Sequence, residues 1–263
     1  MQAIPSTAGP ATPSAAGAAS SPAPRATATR RVTDAPTRLF HALFALSFLG
    51  AYLTAEGERW RMLHVTLGYT MVGLLGFRVL YGPFGPRQAR LSLLWGKLSG
   101  APGWLKAVAQ SRSLVTVPWR QGQNLLMASA IAALLLLVVP LTLSGYATYD
   151  DWGSQLGGGV GDALEELHEF FGNAFLAVVL AHLGLILGLS LLRRKNQALP
   201  MITGRIEGAG PDLARHNHGA LAALLLVAVL GFWAWQWQLS PQGLLPVQAA
   251  GSVAGERGED DGD

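Results

Sequence analysis

The sequence predicts an all-α integral-membrane helical bundle, with a four-helix core and a fifth transmembrane helix. Two observations carry this. Half of the 263 residues are hydrophobic and only 13% are charged, against about 25% in soluble domains, so much of the surface must face something other than water. Five apolar segments also approach the ~20 residues a helix needs to cross ~30 Å of hydrocarbon. Net charge is +3 with a pI near 9.5, but the basic residues flank apolar runs instead of forming one patch, which argues against a nucleic-acid binder. The absence of cysteine excludes disulfides, iron–sulfur clusters, thiolate zinc and covalently attached haem.

Residues 1–30 are rich in Ala, Pro, Ser, Thr and Gly and lack an apolar run, which predicts a disordered tail. They do not read as a signal peptide: Arg30 and Arg31 permit a twin-arginine reading, but no convincing small-residue cleavage site follows. The expected spans are Leu39–Ala55, Met62–Leu80, Asn124–Tyr146, Phe170–Leu192 and Ala220–Leu239. Asp34 before Ala35 and Pro36 reads as an N-cap with proline in the first turn, so the first helix begins before its apolar part. The second is expected to end at Tyr81-Gly82-Pro83, whereas Pro140 kinks the third without ending it. Residues 31–206 form the predicted core domain, 207–240 the additional helix and 241–263 an acidic tail.

Orientation follows from Lys and Arg, which stay cytoplasmic in short loops. Arg25, Arg30, Arg31 and Arg38 precede the first helix; Arg87, Arg90, Lys97, Lys106, Arg112 and Arg120 separate the second and third; Arg193, Arg194, Lys195, Arg205 and Arg215 follow the fourth. The loop after the third holds Asp150, Asp151 and Asp162, and the tail holds Glu256, Glu259, Asp260, Asp261 and Asp263. The expected orientation places the N-terminus in the cytoplasm and the C-terminus outside.

Histidines carry the candidate chemistry, since a buried imidazole in lipid must be bonded to something. His41, His64, His168 and His182 fall in the first, second and fourth spans. His168 and His182 are fourteen residues apart, about 40° short of four turns and roughly 21 Å along the axis. His41 lies fifteen residues from the outer end at Glu56, roughly 22 Å down, while His64 and His168 both lie near the outer face. Depth therefore pairs His64 with His168 and His41 with His182. Two facing imidazole pairs suit the axial positions of two haem b groups. Zinc needs a closed set of four ligands or three plus water, a proton relay needs intramembrane carboxylates, and a structural reading has each histidine bonded to a serine or backbone carbonyl. Gly68, Gly172, Gly184 and Gly188 near these histidines leave room for a macrocycle or serve tight helix packing. Arg78 pairs with a haem propionate or snorkels. His216 and His218 read as a helix start or headgroup contact, or as part of a quinone pocket or docking surface. Tyr149, Asp150, Asp151 and Trp152 are outer-side polar candidates or ordinary loop.

Several stretches together resemble the bacterial cytochrome b561 family, which includes the cytochrome b subunits of nickel–iron hydrogenases. They are Thr33-Asp34-Ala35-Pro36-Thr37-Arg38-Leu39-Phe40-His41, Leu63-His64-Val65-Thr66-Leu67-Gly68-Tyr69, Phe77-Arg78-Val79-Leu80-Tyr81-Gly82, Gly85-Pro86-Arg87, Leu167-His168-Glu169, Ala181-His182 and Met201-Ile202-Thr203-Gly204-Arg205. The resemblance covers roughly residues 31–206. It implies a diheme b-type cytochrome, a membrane bundle whose iron ligands map onto His41, His64, His168 and His182. It also implies electron exchange between the quinone pool and a partner such as a hydrogenase, a c-type cytochrome or another periplasmic redox protein. An alternative is a superoxide- or quinol-oxidising membrane oxidoreductase that needs no partner subunit. The chain departs from the family pattern at Gln121-Gly122-Gln123-Asn124, where relatives often carry a His-Asn-Pro element.

Overall fold

The computed structural model describes residues 28–86, 90–113 and 115–240. The expected acidic tail at 241–263, Arg25, Arg87 and the disordered tail up to residue 27 lie outside the described residues. The tail's expected boundary at residue 30 needs correction. β1 (Thr29–Arg31) pairs antiparallel with β2 (Arg205–Glu207), with Arg30 opposite Ile206. Val32 N donates to Gly204 O at 2.8 Å and Arg31 N to Asp212 Oδ1 at 2.6 Å. A strand partner 174 to 178 residues downstream is invisible to local composition.

α1 (Ala35–Leu53) starts at the Asp34 cap, whose Oδ1 accepts from Thr37 N at 3.4 Å, with proline in the first turn. A 3-10 turn at Glu58–Trp60 leads into α2 (Arg61–Phe84). α2 runs through Pro83 because a proline in the last turn removes only one intrahelical bond, and Gly85 N still reaches Tyr81 O at 2.8 Å. Two short amphipathic helices follow, α3 (Leu91–Leu98) and α4 (Ala101–Gln110). α5 (Trp119–Tyr149) carries Pro140 in its interior, and the short α6 (Trp152–Leu156) turns the chain into α7 (Val160–Arg193). α7 begins ten residues before its apolar part, with Asp162 in a first turn where the helix dipole favours a carboxylate. After α8 (Leu199–Thr203), α9 (Gly219–Leu239) closes the described chain.

Among the described residues four helices are long and apolar enough to cross a membrane: Glu58–Phe84, Trp119–Tyr149, Val160–Arg193 and Gly219–Leu239. α1 lies outside that set, its first turns holding Pro36, Thr37, Arg38 and His41, yet it lies against α2 and α9. α5 and α7 form the most extensive interface, α1 pairs with α2, and α2 links the two pairs. Phe48, Met71, Val138, Leu141 and Phe175 bury one core between these four helices. A second core, Phe40, Leu74, Leu225 and Val229, seats α9 on α1 and α2. Trp233 Nε1 fastens it by donating to Thr70 Oγ1 at 2.8 Å.

Candidate functional site

His64, in the first turn of α2, and His168, two turns into α7, face each other at the end that carries the acidic loop. Their ring centroids are 5.9 Å apart and their planes nearly perpendicular, at 86°. His64 Nδ1 lies 2.8 Å from Ala51 O and His168 Nδ1 3.0 Å from Leu141 O. A carbonyl only accepts, so both protons sit on Nδ1 and both Nε2 lone pairs remain available to a metal. Ala51 belongs to the last turn of α1, where carbonyls lack i+4 partners. Ser144 Oγ also stands 3.4 Å from His168 Nδ1.

Glycines set the space around this pair. A Cβ on Gly145 would come within 2.7 Å of His168 Cε1 and 2.9 Å of Nδ1, so only glycine lets the ring lie against α5. One turn beyond each histidine, a Cβ on Gly68 would meet nothing within 4 Å and one on Gly172 only Leu141 Cδ1 at 3.9 Å.

His182 follows two turns beyond Phe175, toward the basic end. Its Nδ1 is buried without a hydrogen-bond partner, and His41 stands exposed in the second turn of α1. Between the two histidine levels sits an aromatic layer. Phe175 is 1% exposed and packs its ring on Phe48 at 4.5 Å and Phe44 at 6.3 Å. It lies seven residues from both His168 and His182, on the same side of α7.

Beyond His41, Asp34 is fully buried and accepts from the Tyr81 hydroxyl. Arg78 lies in the field of that carboxylate, with Nη1 buried and unpaired. Arg38 donates from Nη1 to Ile202 O at 3.1 Å, and its Nε is buried without a partner. The adjoining Gly204 has φ +76°, and a Cβ there would meet Thr33 O at 2.8 Å. Reading the sequence singled out Arg78 but missed Arg38 and the Asp34–Tyr81 bond.

The remaining candidates divide between the two ends of the bundle. His216 and His218 are exposed, with rings 5.8 Å apart, and His218 precedes α9 at φ +48° without a side-chain cap bond. Trp152 Nε1 donates to Asp150 Oδ2 at 2.9 Å, the Trp152 ring meets Tyr146 at 5.7 Å, and Arg61 lies over the Tyr149 ring. This aromatic rim adjoins Gly145 and the His64–His168 level.

The donor set fits an iron held between two imidazoles. Among the described residues no group of three or more His, Cys, Asp or Glu could hold a metal ion, which leaves no closed zinc site there. The profile of the prokaryotic cytochrome b561 family matches residues 32–204, well over half of the chain. No curated protein matches, and no solved structure does.

Proposed function

The chain belongs to the prokaryotic cytochrome b561 family, and from that premise we propose a diheme membrane cytochrome that carries electrons between the quinone pool and a redox partner, a hydrogenase or a c-type cytochrome. The family is one of membrane b-type cytochromes in electron transfer. His64 and His168 would hold one haem, and His41 and His182 the other. The observation that carries the reading is the facing of His64 and His168 with both Nδ1 atoms committed to backbone carbonyls. That commitment fixes ring orientation and raises the basicity of Nε2.

When bound, each haem supplies a one-electron couple at its iron. The chain's own residues then do three things. Ala51 O and Leu141 O hold the outer imidazoles in one tautomer. Phe44, Phe48 and Phe175 keep water out of the layer between the two levels, which lowers the local dielectric. Arg38 and Arg78 present unpaired buried N–H groups near His41, suited to a propionate. With two histidines on each iron no coordination position stays open, which disfavours partner-free small-molecule chemistry at the metal.

The basic residues flanking the spans support a bacterial inner-membrane location with α1 as a fifth span, the N-terminus cytoplasmic and the C-terminus periplasmic. A reduced-minus-oxidised spectrum with pyridine haemochrome quantification on purified, haem-supplemented protein tests the proposal. Two low-spin b haems per chain are expected; none would return the four histidines to structural roles.

A further inference from the structure

A groove of about 460 Å³ runs along the basic end of α7, starting at Leu183 just beyond His182. At 100° per residue, Leu183, Leu187, Leu191 and Arg194 fall within an arc of about 80°. Three leucines, 54%, 62% and 70% exposed, thus form one ridge that ends on a guanidinium. The turn beyond is folded back and pinned. Lys195 N donates to Ser190 O at 3.1 Å, Gln197 N to Ser190 Oγ at 3.0 Å and Ala198 N to Asn196 Oδ1 at 2.9 Å. Those bonds use the groove's polar oxygens on the backbone and leave two cations, Arg194 and Lys195, to face a ligand. Neither has a carboxylate partner among the described residues, and no Asp or Glu occurs between Glu169 and Glu207.

We propose that this groove binds one anionic phospholipid, its acyl chain along Leu183, Leu187 and Leu191 and its phosphodiester on Arg194 and Lys195. Charge selects this occupant. A zwitterionic headgroup brings its own cation against Arg193, Arg194 and Lys195, and a quinone's carbonyls can accept hydrogen bonds there but bring no negative charge to pair with two cations. A single juxtaposed cation strengthens anionic-lipid binding about fivefold, so losing two weakens it about 25-fold.

The test is native mass spectrometry of the full chain in detergent, titrated separately with dioleoyl phosphatidylglycerol, dioleoyl phosphatidylcholine, inorganic phosphate and decyl-ubiquinone. One phosphatidylglycerol per chain is expected, with about 25-fold weaker retention by R194Q/K195Q and native retention by the control R59Q/R61Q at the opposite end. Equal retention of phosphatidylcholine, equal binding of free phosphate, one-for-one displacement by the quinone or an unaffected double variant would each overturn the assignment. Both sets of substitutions lie on exposed side chains, and circular dichroism of each variant checks that the helices persist.

Discussion

Gly145→Ala separates a helix-propensity effect from a site effect. Alanine in the interior of α5 should stabilise that helix by ~0.8–1.0 kcal/mol over glycine. The new Cβ, however, would lie 2.7 Å from His168 Cε1 and 2.9 Å from Nδ1. Because α5 and α7 share the most extensive helix interface in the bundle, the backbones cannot separate cheaply and the ring must rotate away. Rotation breaks the 3.0 Å bond to Leu141 O, a loss of ~0.5–1.5 kcal/mol. Overpacking adds ~1–3 kcal/mol. The clash therefore outweighs the propensity gain, by roughly 0.5–3.7 kcal/mol on these figures, and the penalty falls on the ring that would bind the iron. Haem content per chain, measured by pyridine haemochrome, should fall from two to about one with helix content by circular dichroism unchanged. Gly73→Ala is the control, since a Cβ there meets nothing within 4 Å; it should keep both haems. A Gly145→Ala protein with two haems and native band positions would refute the proposed seating of His168.

His168→Ala should lose one haem and keep the other, and His41→Ala the converse; a His168→Ala protein that retains two haems sinks the outer pairing. Phe175→Ala removes a ring that is 1% exposed and should cost ~3–5 kcal/mol, read as a lower melting temperature in detergent, while Phe175→Leu should recover most of it. Tyr81→Phe takes the hydroxyl donor from the fully buried Asp34 and should cost ~1–3 kcal/mol, read as a lower melting temperature in detergent. A reporter fused after Asp263 should read as periplasmic, and cytoplasmic activity there would overturn the five-span topology.

Counting depth along each helix needs only the rise per residue, and it put His64 and His168 at one level; their rings lie 5.9 Å apart. Composition and the placement of Lys and Arg likewise required no coordinates to indicate a membrane bundle, because lipid exposure is a property of whole segments. Boundaries were less legible. α3 and α4 have eight and ten residues, too short to register among segments of about twenty, and α7 begins in polar sequence that hydropathy assigns to a loop. Pairing of Thr29–Arg31 with Arg205–Glu207 is a long-range backbone event with no local signature. The same holds at the centre of the site. Four histidines and their spacing were on the page from the start, and so were the glycines beside them. What holds His64 and His168 in one tautomer is a pair of carbonyls, Ala51 O and Leu141 O. Every residue carries a carbonyl, so sequence cannot mark which one serves. Only the packing of α1 on α2 and α5 on α7 decides that, by bringing one particular oxygen within reach of each ring.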